Sequence, residues 1–193
     1  MSGCGASLPP KRVAFPANAV IVSPVNVASG SLWDEAGDHE LPVKVYAPEV
    51  SDAKLPIVLL VQRDPSESLG RALASRGFYT LQIASDRDVA FALDVLASAQ
   101  DSNIDTERIA IVGARALPRD RRMKAIIAIS MPRIESEHHR VTFEDHDPHP
   151  IAVEEATIAL LRALLLDDRE MRAWLDDAGT GELMGMKVAV TQR

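Results

Sequence analysis

A chain of 193 residues, 47% hydrophobic and 25% charged, can bury one substantial core and has the balance of an ordinary globular protein. A formal net charge of −7 repels a phosphate backbone, and 4% aromatics leave little to stack on bases, so nucleic acid is excluded as an overall partner. The one cysteine, Cys4, excludes an internal disulfide, and no stretch is apolar enough to span a membrane, so no transmembrane segment is expected.

Residues 1–18 carry Gly, Pro and Ser without periodicity and read as a flexible leader, with a single domain expected over 19–193. Within the leader, Gly3-Cys4-Gly5 resembles the end of a bacterial lipoprotein signal, but the apolar run that precedes such a site is missing. A free thiol in a floppy terminus is therefore weighed above an exported chain lipid-anchored at Cys4 with a structural role, and the compartment, cytoplasmic or exported, stays open.

Short β-prone pieces at 20–22 and 25–27 flank Pro24, and 29–39 reads as a turn cluster. A strand is expected at 41–46, with Val43 and Val45 on one face and Lys44 and Tyr46 on the other. The apolar run 57–61 suits a strand covered on both faces. Helix 68–76 has Leu69, Ala72 and Leu73 on one side and Gly77 as its stop. Strand 78–84 and the amphipathic helix 88–99 follow, then short buried strands at 109–112 and 125–129. A hydrophilic stretch, 132–140, leads to a strand at 141–143. Helices at 151–166 and 169–175 and an edge strand at 186–191 close the chain. Strands alternating with helices predict an α/β fold, a mostly parallel central sheet with helices on both faces.

In that order the elements resemble the α/β-hydrolase superfamily, in the branch of dienelactone hydrolase and platelet-activating-factor acetylhydrolase. The resemblance is carried by Trp33-Asp34 with Leu41-Pro42-Val43-Lys44-Val45-Tyr46-Ala47-Pro48, like the opening hairpin, and by Leu55-Pro56-Ile57-Val58-Leu59-Leu60-Val61, like the strand before the oxyanion loop. Ile104-Asp105-Thr106-Glu107-Arg108-Ile109-Ala110-Ile111-Val112-Gly113 is similar to the approach to the nucleophile elbow, and Lys124-Ala125-Ile126-Ile127-Ala128-Ile129-Ser130 to the next core strand. The resemblance implies a compact hydrolase-like scaffold and, if chemistry survives, carboxylester hydrolysis without a cofactor.

That chemistry needs a serine in a glycine-bounded turn, G-x-S-x-G, so that its hydroxyl stands clear of the backbone. Here the elbow position reads Gly113-Ala114-Arg115-Ala116-Leu117. An always-protonated guanidinium is no nucleophile. The oxyanion-loop position holds Gln62 and Arg63, either of which has a backbone N–H that could point inward, but no glycine. The chain is short between Ile129 and Val141, where the resemblance implies a strand bearing the acidic partner. His146, just after strand 141–143, is the candidate catalytic histidine, and His149 the second choice; two loop histidines without catalytic work are the simpler reading.

Other chemistries are weaker. His146 and His149 lie among Glu144, Asp145 and Asp147, with His138 and His139 upstream, but the spacing fits no metal signature, so no metal is expected. Ser130 lacks an elbow around it, and Gly113 belongs to no phosphate loop. Arg115, Arg119, Arg121, Arg122 and Lys124 form a basic stretch, read as a solvated loop rather than an anion site. A scaffold that binds a small molecule or a protein is expected ahead of an active esterase of unusual layout. A homodimer is one way to cover apolar surface left by the shortening.

Overall fold

The structure, a computed structural model, describes residues 13–14, 23–49, 51, 53–62, 67–99, 103–113, 120–130, 133–137, 139–145, 147–176, 179–183 and 186–192. In chain order these form β1 (Val13–Ala14), β2 (Val25–Asp34), β3 (His39–Pro48), β4 (Leu55–Val61), α1 (Ser68–Ser75), β5 (Tyr79–Ile83), a 3-10 turn (Asp86–Asp88), α2 (Val89–Ser98), β6 (Ile104–Gly113) and β7 (Met123–Ser130). β8 (Arg133–Glu135), β9 (His139–Phe143), α3 (Pro150–Leu165), α4 (Arg169–Asp176), β10 (Gly179–Leu183) and β11 (Met186–Gln192) complete the set. The strands join one sheet in the order β1-β10-β11-β9-β8-β7-β6-β4-β5-β3-β2.

The fold is α/β, with a mixed sheet whose centre, β5-β4-β6-β7, is parallel throughout. The β2–β3 hairpin adds antiparallel to β5, and β8, β9, β11 and β10 follow antiparallel beyond β7. Alternation along the central strands feeds two cores. Val58, Leu60, Ala110, Val112, Ala125 and Ile127 pack with α1, α3 and α4 on one face. Ile57, Leu59, Leu81, Ile83, Ile109 and Ile111 pack with α2 on the other. This is why β4 reads as a continuous apolar run: both of its faces are covered.

Among the described helices α3 buries the most residues. His149 caps its first turn by accepting the Ile151 N–H, and Pro150 starts it where a missing N–H costs nothing. Arg162 ties its last turn to Asp168, and the turn to α4 passes through Asp167 at φ 51°, a left-handed position that aspartate tolerates. α4 then folds back with Met171, Trp174 and Leu175 inward. α1 stops at Gly77, whose φ of 89° turns the chain into β5.

Three expectations change. The 29–39 segment is not a turn cluster: β2 runs through Ser29, Gly30 and Ser31 to Asp34, with each residue facing one on β3. Pairing with β3 overrides weak local β propensity, and the turn shrinks to 35–38, held by the Asp34 carboxylate accepting the Ala36 and Gly37 N–H groups. The stretch 132–140 contains a strand, β8. The last strand is not an edge, because β11 lies between β9 and β10. The expected strand at 20–22 lies outside the described residues, as does Cys4.

Candidate functional site at the carboxyl edge of the parallel strands

In an open α/β sheet the strand ends of a parallel centre meet at one edge, and ligands bind where the crossovers part to opposite faces. β4 leads to α1 on one face and β5 to α2 on the other, so the parting falls at the ends of β4 and β6. β6 reaches that edge at Gly113, which pairs with Val61 on one side and Ala128 on the other. Gly113 is buried. Ala114, Arg115 and Arg63 follow these strand ends but lie outside the described residues.

The Gln62 backbone N–H is engaged within the sheet: it donates to the Ile83 carbonyl at 2.9 Å, continuing the β4–β5 ladder one residue past the strand. The Gln62 side-chain Oε1, at the β4 end, is buried with no hydrogen-bond partner among the described residues. Past it, α1 opens at a charge cluster in which Glu67 accepts from Lys44 Nζ at 3.0 Å and Arg71 Nε at 2.9 Å. These two cations hold the Glu67 carboxyl below its usual range.

The run 104–108 is structural. Asp105 accepts from Arg108 Nε at 2.6 Å where the β4–β6 register shifts, and the same guanidinium reaches the Leu165 and Lys54 carbonyls. It thereby pins the α3 end to the entry of β4. The Asp105 carboxyl is lowered: desolvation opposes, and the Arg108 hydrogen bond, the Glu107 N–H and the Arg108 and Lys54 charges together outweigh it. The basic stretch is partly neutralised: Arg122 forms a two-pronged pair with Asp120, at 2.9 and 2.6 Å, and also reaches Asp94. The Arg122 hydrogen bonds hold the Asp120 carboxyl down at about 2.

β9 points the same way as β7, so the 144–149 loop does return to this edge. Three strand spacings separate β9 from β6, roughly 14 Å across the sheet. His146 lies outside the described residues. His149 is exposed, and its Nδ1 accepts the Ile151 N–H, the reverse of the Nδ1–H donation that an acid partner needs in a relay. His139 belongs to neither site. It sits buried at the start of β9, at the far end of the strand, with Nε2 at 3.1 Å from Asp176. Among the described residues no group of three or more His, Cys, Asp or Glu side chains could hold a metal.

The strand beside β7 changes the edge most. β8 is antiparallel and starts at once, with Ser130 paired to Arg133. The edge therefore receives the first residue of β8, an exposed arginine, rather than the last residue of a parallel strand. Ser130-Met131-Pro132-Arg133 has no carboxylate to offer. Sequence reasoning passed over Arg133, since a three-residue strand leaves no periodic signal.

No family model matches the chain, and no curated protein does. Among solved structures it is similar to esterase Est22, at 17% identity and TM-score 0.41 over 47% of this chain and 36% of that one. A Klebsiella pneumoniae protein described as a dienelactone hydrolase aligns at 20% identity and TM-score 0.44, over 54% of this chain and 59% of that one. Pyrococcus horikoshii acylaminoacyl peptidase aligns at 18% and TM-score 0.44, over 54% of this chain and 23% of that one. These neighbours are α/β-hydrolases. The chain spans about a third of the esterase and just under three fifths of the dienelactone hydrolase. The alignments are partial and carry nothing about chemistry, which the residues at the strand edge must supply. Among the described residues no helix is long and apolar enough to cross a membrane.

Proposed function

We propose that this chain uses a hydrolase-type scaffold for binding, at the carboxyl edge of its parallel strands, and does not hydrolyse esters. The observation that carries the reading is the residue set at the end of β6, where Gly113-Ala114-Arg115 stands in place of a glycine-bounded serine. A second guanidinium, Arg133, sits where the neighbouring strand would deliver a carboxylate, and the Gln62 N–H is spent on Ile83. On this reading the nucleophile, the acid and one oxyanion donor are lost together, and residual transition-state stabilisation has no reacting group to act on. The occupant is a small molecule or a protein partner.

Arg115→Ser tests the reading directly. With the acid and the glycine elbow both absent, the variant is expected to hydrolyse short-chain p-nitrophenyl esters no faster than wild type. Turnover rising by about a hundredfold or more, the scale of a working general base, would mean that the rest of the relay is intact and that only the nucleophile was lost.

A further inference from the structure

β2 closes one side of the sheet, and among the described residues no strand pairs with its outer edge. Edge strands are normally guarded by charge, proline, a bulge or short length, because their free N–H and C=O groups template pairing with another chain. From Val25 through Trp33, β2 has none of these guards. It is ten residues long, its register with β3 runs unbroken from Val25↔Pro48 to Asp34↔His39, and from Val25 through Trp33 it carries no charged side chain and no proline. Trp33 stands 58% exposed near its end, one of the two large hydrophobics so exposed among the described residues.

We infer that β2 is a self-pairing edge: two copies of this chain join their sheets through antiparallel β2–β2 contact about a twofold axis near Ser29. Charge selects this occupant and this register. The chain carries −7 overall, so copies repel unless they meet on an uncharged strip, and residues 25–33 of β2 are such a strip. The acids cluster beyond one end, at Asp34, Glu35, Asp38 and Glu40. With the axis at Ser29, Asp34 lies opposite Pro24 of the second copy and Glu35 opposite Ser23, so no acids face one another. Trp33 lies opposite Val25, on the same sheet face, an aromatic–β-branched pair of the kind that stabilises antiparallel sheets. A parallel pairing would bring the two acidic ends together.

The same axis places Ala28 opposite Gly30 of the second copy. Both are exposed, and a Cβ at Gly30 meets nothing within 4 Å, so lysines at these positions fit the monomer. In the dimer they would set four ammonium groups side by side. Sedimentation velocity on the full chain should show a concentration-dependent dimer, and Ala28→Lys/Gly30→Lys should weaken it at least about tenfold. Hydrogen exchange on wild type supplies a readout without a variant: amides 26–32 should gain protection as concentration rises. A wild-type monomer at all concentrations, a dimer indifferent to the lysines, or exchange at 26–32 indifferent to concentration would overturn the inference.

Discussion

Phe143→Ala is expected to lower the unfolding free energy by about 3–5 kcal/mol, the usual range for deleting a buried phenylalanine ring. Phe143 is 1% exposed at the last position of β9, opposite Val188 on β11, and belongs to the core shared with α3 and α4. The side chains around it come from three elements that cannot all move in to fill the gap, so the cavity term adds to the lost transfer energy. Against a typical total stability of about 5–15 kcal/mol this is a large share. Urea denaturation checks it: the midpoint should fall with the slope unchanged. A loss below about 1 kcal/mol would mean that Phe143 is not enclosed as described. The variant also loosens the strand end that carries the 144–149 loop, so His149 should lose order before the central strands do.

Gly70→Ala should be destabilising too, although alanine is the better helix former by about 1 kcal/mol. A Cβ on Gly70 would come 2.6–2.8 Å from the Tyr46 ring. That ring has no room to retreat. It is fully buried, and its hydroxyl donates to Gln82 Oε1 at 2.8 Å. Overpacking of this kind costs roughly 1–3 kcal/mol and sometimes more, enough to outweigh the propensity gain. Trimming the ring in Gly70→Ala/Tyr46→Leu should recover part of the loss, and the double-mutant cycle isolates the clash. A Gly70→Ala protein as stable as wild type would show that α1 shifts off β3 at little cost.

Tyr46 and Gly70 also mark the limits of the sequence. The strand at Tyr46 and the helix at Gly70 were both legible, because their periods of 2 and 3.6 are strong and each buries one face. That the two touch depends on how α1 crosses the sheet, which no local pattern encodes. The central strands were legible for the same reason as their double coverage, since Leu55–Val61 reads as one apolar run. The failures share a cause. Ser29, Gly30 and Ser31 have poor β propensity and became strand because β3 lies alongside. β8 is too short to show a period, and β11 moved from edge to interior because β10 adds beyond it. Each was decided by a partner distant in sequence.

The site divides in the same way. Arg115 after Gly113 could be read directly, because the chemistry of an elbow is written in consecutive residues. The place where an acid would be expected was legible only as shortness, and that an antiparallel β8 presents Arg133 beside β7 needed the sheet. Gln62 could not be judged from sequence at all. Whether its N–H faces a ligand or a neighbouring strand depends on the Ile83 carbonyl, which β5 places there.

The proposed loss of the nucleophile is tested most directly by the intact mass of the wild-type protein after incubation with a serine-reactive fluorophosphonate. No adduct is expected under conditions that label an active esterase fully. A single stoichiometric adduct, mapped to one serine and accompanied by ester turnover, would contradict it and identify the catalytic residue.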